Sequence, residues 1–297
     1  MSRIVSFTEY GGPEVLKITD VVIPEPKARE VRIRVKAIGL NRAESMWRSG
    51  VYVEPVNLPA RLGYESAGIV DAVGAEVDHL AVGDEVTTIP SFSMNDYGLY
   101  GELVLAPAHA VVKKLPSISF EEAVAIWNPF ITPYGAFAEK QQVSAGDFVL
   151  IPAASSSVGI GAIQVAKLLN ATVIATTRTS AKVAQLLDAG ADHVIVTDEQ
   201  DLVAEVTRIT DGKGVDVVFE PVGGPNFPKL VDATKPGGTI YIYGALSDEV
   251  TPLPMLSMIP REINVRGYNL FGVTTTPSRQ AKAVEFVYQG ITSGKLT

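Results

Sequence analysis

The chain has 297 residues, enough for two domains, with 46% hydrophobic and 20% charged residues, an ordinary globular composition. A formal net charge of −8 counts against nucleic acid and anionic membrane as partners. The absence of cysteine excludes disulfides, thiolate catalysis and any zinc site that uses Cys, and it fits a reducing cytoplasm.

Met1-Ser-Arg leads into an apparent strand with no signal-peptide hydrophobic region, and no run of about 18 apolar residues offers a membrane span. Residues 1–122 carry short β-like runs at 31–38, 67–73 and 84–89, punctuated by Gly and Pro, which predicts a β-rich, barrel-like domain. From about residue 120 to 266 the pattern becomes helix-strand alternation, with apolar strands at 147–152, 172–176, 193–197, 215–219 and 239–243. Pro221-Val-Gly-Gly224 and the glycine of Tyr241-Ile-Tyr-Gly244 place turn residues at strand C-termini, the ends that face a dinucleotide in a doubly wound sheet. Residues 279–290 read as one more helix.

The most informative stretch is Val149 to Arg178. It predicts an apolar strand, a turn of small residues, an amphipathic helix and a second apolar strand, which together make one βαβ unit. The turn Ala153-Ala-Ser-Ser-Ser-Val-Gly159 must let the backbone approach a pyrophosphate held at the helix N-terminus. The three glycine positions of G-x-G-x-x-G are filled by Ala154, Ser156 and Gly159, so Ser155, Ser157 and Val158 complete the predicted cradle. A unit that binds NAD carries Asp or Glu about 20 residues further on, for the ribose 2′-OH. Here the second strand ends in Thr176, Thr177 and Arg178, then Thr179, Ser180, Ala181 and Lys182, with no carboxylate before Asp188. Thr177, Arg178, Ser180 and Lys182 suit a 2′-phosphate, because guanidinium and ammonium pair with phosphate oxygens. The expected cofactor is NADPH.

Gly11-Gly-Pro-Glu-Val-Leu16, Pro24-Glu-Pro26, Gly39-Leu-Asn-Arg-Ala-Glu44, Arg48-Ser-Gly-Val-Tyr52, Gly63-Tyr-Glu-Ser-Ala-Gly68, Val73-Gly74, Gly83-Asp84-Glu-Val86 and Ala153 to Gly159 occur in that order. In this the chain resembles zinc-independent members of the medium-chain dehydrogenase/reductase superfamily, in the quinone oxidoreductase (zeta-crystallin-like) branch. The resemblance implies an α/β protein: a Rossmann doubly wound parallel sheet plus a β-rich GroES-like catalytic domain, with the active site in the cleft. The expected division is 1–122 for the catalytic domain, 123–266 for the NADPH domain and 267–297 for a return to the first. Family members run some thirty residues further, so the chain is expected to be C-terminally short.

In zinc-dependent relatives a Cys stands where this chain has Asn41 and a His where it has Tyr64. Catalytic zinc needs three converging ligands, and His79, His109 and His193 share no such spacing, so no metal is expected. Chemistry must then come from the cofactor, substrate orientation and a proton source. The resemblance points to Asn41 as a donor to a substrate carbonyl or a nicotinamide ribose; a local cap on the following segment is the alternative. It points to Tyr52 as a cleft tyrosine able to give a proton, or else a packing residue. Glu44 and Arg48 are spaced to pair at i, i+4. Thr132 and Tyr134 fall near the expected nicotinamide site, and Val222, Gly244, Ala245, Asn269 and Phe271 are further candidate contacts.

The expected substrate is a small quinone, with an α,β-unsaturated carbonyl or enoyl thioester as the alternative; a non-catalytic NADPH-binding protein is the reading from another class. Residues 263–270 look like the edge strand of the cofactor-domain sheet. Because a bare edge invites pairing, a C2 homodimer is expected.

Overall fold

A computed structural model describes all residues, Met1–Thr297. The chain divides into two compact units, Met1–Asn128 with Thr274–Lys282, and Pro129–Val273 with Ala283–Thr297.

The first unit is antiparallel. It begins with β1 (Ser2–Phe7), β2 (Lys17–Val21) and β3 (Glu30–Gly39), continues through helix α1 (Arg42–Arg48), and adds β4 (Ala60–Arg61), β5 (Glu65–Val73), β6 (Glu85–Thr88), β7 (Leu103–Pro107) and β8 (Val111–Lys113). The strands form a five-stranded sheet in the order β7-β3-β5-β6-β8 and a three-stranded one in the order β2-β1-β4. Strand alternation puts Val31, Ile33, Ala67 and Val86 in the core. Gly68 leaves room for the neighbouring strand β3, since a Cβ there would lie 2.1 Å from the Arg34 carbonyl oxygen.

The unit's boundary lies beyond residue 122 because residues 123–128 are anchored in it. After α2 (Phe120–Ala123), Ala123 and Val124 pack with Ala67, and the Trp127 indole donates to Thr87 Oγ1 at 3.1 Å. Of residues 267–297, only Thr274–Lys282 clusters with this unit. Ala283–Thr297 instead joins the second, where the Phe286 ring packs at a tilt against Tyr134, centroids 4.9 Å apart, and Gln164 exchanges hydrogen bonds with Thr297.

The second unit starts within α3 (Trp127–Tyr134), which runs into a π-helical turn over Gly135–Gln141 that periodicity did not foretell. It then alternates β9 (Phe148–Ile151), α4 (Ser157–Leu168), β10 (Thr172–Thr177), α5 (Val183–Asp188), β11 (His193–Val196), α6 (Leu202–Ile209), β12 (Val215–Glu220), α7 (Phe227–Ala233) and β13 (Thr234–Ile242). The short α8 (Met255–Met258) precedes β14 (Asn264–Gly267), followed by α9 (Phe271–Thr274) and α10 (Pro277–Thr292). All six strands are parallel, in the order β11-β10-β9-β12-β13-β14. Counted from β9, that is 3-2-1-4-5-6, the order of a dinucleotide-binding sheet whose switch point lies between β9 and β12. Leu150, Ile174, Val218, Val231 and Ile240 form its core. No helix is long and apolar enough to cross a membrane.

Candidate functional site

In the second unit, the turn after β9 is built as its residues require. Ala153 adopts a left-handed φ of +48° and turns the chain just before Ala154. Ala154 is buried and gives its N–H to Thr176 O at 3.1 Å, tying the turn to the end of β10. Ser156 caps α4, its Oγ accepting the Gly159 N–H at 3.1 Å. Ser157, Val158 and Gly159 form the helix's first turn. A Cβ on Gly159 would lie 2.5 Å from Ala154 O and 2.7 Å from Ala154 Cα, so the glycine lets helix and turn touch backbone to backbone.

At the end of β10, Thr177 is buried and sends its hydroxyl to Thr179 O at 3.3 Å, whereas Arg178, Ser180 and Lys182 are exposed. Lys182 Nζ lies 3.4 Å from Ser155 Oγ, bringing the basic set and the turn together. The strand ends β12 and β13 converge as well. Leu246 and Ser247 donate to Pro221 O and Val222 O at 3.0 and 2.9 Å, and a Cβ on Gly244 would meet Pro221 O at 2.7 Å, with Ala245 next in the chain. Glu220, not foreseen, closes the turn after β12 by accepting the Val222 and Gly223 N–H groups at 2.5 and 2.6 Å. Burial raises its carboxyl above the usual range. Thr132 is buried on α3. Phe271 opens α9, its N–H held by Asn269 Oδ1 at 2.9 Å.

In the first unit a polar cluster surrounds the start of α1. Asn41 is the N-cap and forms a capping box with Glu44, whose Oε2 accepts the Asn41 N–H at 2.8 Å. The Asn41 amide nitrogen donates to Glu65 Oε2 at 2.8 Å and lies 3.5 Å from Glu44 Oε1. Both amide hydrogens of Asn41 thus face carboxylates. Glu44 and Glu65 are 3% and 1% exposed. The spacing rule that paired Glu44 with Arg48 fails here: Glu44 turns inward and also accepts the Tyr64 N–H at 3.2 Å, and Arg48 gives its Nε–H to Gly11 O at 3.0 Å.

Burial pushes the Glu65 carboxyl up to about 7, against donation from Asn41 and Asn128, with Glu44 adding like charge. A folded value above the unfolded one means that between about pH 4 and pH 7 the folded chain holds a proton the unfolded chain has lost. Stability from this group is therefore lost as pH rises through that window. Tyr52 packs edge-on against Trp47 at 6.0 Å. Burial raises its phenol, and a hydrogen bond with Tyr64 partly offsets this. Burial raises the Tyr64 phenol too, and the neighbouring Tyr52 raises it further.

Residues 27–117 match the family described as "Alcohol dehydrogenase GroES-like domain", and residues 157–288 match "Zinc-binding dehydrogenase". The "Quinone oxidoreductase 1" of Escherichia coli (strain K12) is 33% identical over 297 residues, which cover 99% of this chain and 89% of that protein. The chain belongs to the quinone oxidoreductase branch of the medium-chain dehydrogenase/reductase superfamily. Among solved structures, the Escherichia coli quinone oxidoreductase complexed with NADPH is similar with a TM-score of 0.91 and 32% identity, covering 99% of this chain and 89% of that one. The CurK enoyl reductase is also similar, with a TM-score of 0.88 and 25% identity, covering 100% and 90%.

The donors of this branch member do not fit the zinc in one family's description. Asn41 and Tyr64 offer an amide already bound to carboxylates and a phenol held protonated, and the fold gathers no group of three His, Cys, Asp or Glu side chains around a cation. His79 and His109 each give Nε2–H to a backbone carbonyl, Ala108 O and Ser91 O, both at 3.2 Å.

Proposed function

We propose that the chain is an NADPH-dependent oxidoreductase that reduces a quinone without a metal. The observation that carries this reading is the end of β10, where Arg178, Ser180 and Lys182 stand exposed in place of a ribose-binding carboxylate, with Lys182 reaching Ser155 of the phosphate turn. The same set fits the adenine-side phosphate, Ala154 to Gly159 fit the pyrophosphate, and Thr132, Val222, Gly244, Ala245 and Phe271 are the proposed contacts toward the nicotinamide. When bound, NADPH supplies a hydride. The chain's own residues do the rest. The first turn of α4 presents N–H groups to phosphate oxygens, and Tyr52 holds a proton at its hydroxyl, with Tyr64 beside it to stabilise the phenolate left behind.

Similarity to an enoyl reductase favours a second reading, reduction of an α,β-unsaturated carbonyl or enoyl thioester. NADPH consumption with 9,10-phenanthrenequinone, an enal and an enoyl thioester decides among them. Turnover of the quinone alone supports the first reading, turnover of the alkenes the second, and binding of NADPH with no turnover a non-catalytic role.

Tyr52→Phe is expected to fold normally and to bind NADPH normally. A general acid contributes on the order of 10²–10⁴ in rate. Quinones take hydride readily and need less help with protons, so the variant should slow enal reduction about 100-fold and quinone reduction far less. Equal rates for variant and parent on every acceptor would remove Tyr52 from the chemistry.

The reading includes a C2 homodimer. β14 is the outer strand of its sheet, and the segment before it exposes Val250 at 85%, Met255 at 63%, Leu256 at 89% and Ile259 at 70%. An apolar patch beside an open edge is a surface that pairing would cover. Light scattering on active enzyme should give twice the chain mass, and the mass of a single chain would refute the pairing.

A further inference from the structure

Glu65 is costly to keep. It lies 1% exposed at the start of β5, and its partners are neutral: Asn41 Nδ2 at 2.8 Å, the Asn128 N–H at 3.1 Å and Asn128 Nδ2 at 3.2 Å. Glu44 faces it from α1, and the Tyr100 phenol, which donates to Gly39 O at 2.7 Å, feels both carboxylates. Space for the Glu65 side chain exists because residue 39 is glycine: a Cβ there would stand 2.9 Å from Glu65 Cβ and 2.4 Å from Val124 O. A buried carboxylate without a cation pays a desolvation penalty that an apolar residue avoids. Three N–H donors converging on one carboxylate fit the ionised form, since a protonated carboxyl would turn one oxygen into a competing donor.

We propose that Glu65 is a positioning residue for the reductase reading given above: its ionised carboxylate, with Glu44, draws both amide hydrogens of Asn41 inward, so that Asn41 can offer a ligand no N–H, only the lone pair of its carbonyl oxygen that the capping box leaves open. A group that meets Asn41 then has to bring a hydroxyl or N–H donor, such as a ribose hydroxyl or the hydroxyl of a reduced product, and not a carbonyl oxygen gaining negative charge. This reverses the donor role expected for Asn41. It also ties the orientation of the amide to pH. With the Glu65 carboxyl pushed up to about 7, acidification protonates it, and the amide loses its fixed orientation.

The test is kcat/KM with NADPH and 9,10-phenanthrenequinone from pH 5.5 to 9, with NADPH affinity measured in parallel by fluorescence. In the parent enzyme kcat/KM should fall about tenfold between pH 8 and pH 6. Glu65→Gln should be flat across the range and about tenfold below the parent at pH 8, with Glu65→Asp restoring the acid limb. Asn128→Ala removes one donor from the ionised form, so it should move the limb to higher pH; this variant and the parent profile decide the matter if Glu65→Gln does not fold. A parent profile flat through pH 7, or a limb that Asn128→Ala leaves in place, would overturn the proposal. Absence of turnover on every acceptor, with the limb still present in NADPH affinity, would count against the reductase reading and support the positioning role.

Discussion

Gly159→Ala is expected to weaken NADPH binding at least 100-fold and to lower stability by about 1–3 kcal/mol, the usual range for overpacking. The added methyl would meet Ala154 O at 2.5 Å, the Ala154 carbonyl carbon at 2.7 Å and Ala154 Cα at 2.7 Å, all backbone atoms. Relief cannot come from a side-chain rotation. Either α4 moves off the turn, or the turn gives up the Ala154 N–H to Thr176 O bond and the Ser156 cap on the Gly159 N–H. Each of these groups also sets the direction of the N–H donors at the start of the helix, so packing and phosphate binding fail together. Thermal unfolding and an NADPH titration on the same sample measure both effects, and parental affinity in the variant would show that the contact is slack.

Changing Arg178 and Lys182 together to Ala should raise the NADPH dissociation constant at least tenfold, about 1.4 kcal/mol or more, while scarcely altering NADH. Both side chains are exposed, so their removal leaves the fold intact, and the effect should weaken in high salt as exposed charges are screened. The hydroxyls of Thr177 and Ser180 remain in the variant, which is why some preference for NADPH should survive. Equal use of NADH and NADPH by the parent enzyme would sink the assignment of these residues to a 2′-phosphate.

The βαβ unit around Ala154, Ser156 and Gly159 was legible in the sequence because its signals are local. Apolar runs of strand length, a string of small residues and a helical period fall within thirty residues, and the turn chemistry that links them needs no distant partner. The missing carboxylate after Thr177 was legible for the same reason. Strands at 31–38 and 67–73 also announced themselves by alternation, and they extend as β3 and β5 over Glu30–Gly39 and Glu65–Val73. Which residue of the turn takes the left-handed conformation was not legible: it is Ala153, and nothing in a run of small residues singles it out.

Tertiary structure decided what depends on partners far apart in the chain. Glu65 sits in a motif visible in the sequence, yet what it does is set by Asn41, 24 residues before it, and Asn128, 63 residues after it. The only local hint was a charged residue opening a strand whose next five side chains, Ser66 to Val70, are small or apolar. Asn41 had two readings, donor to a ligand or local cap on the segment after a strand, and spacing could not separate them because both use the same amide. The carboxylates settle its direction, for a buried anion takes whatever N–H lies within reach. The unit boundary at residue 128 and the split of α10 between the two units follow from packing of Ala123, Val124 and Trp127 on one side and Phe286 and Thr297 on the other. Periodicity reports which face of an element is apolar, but not which distant surface that face will meet.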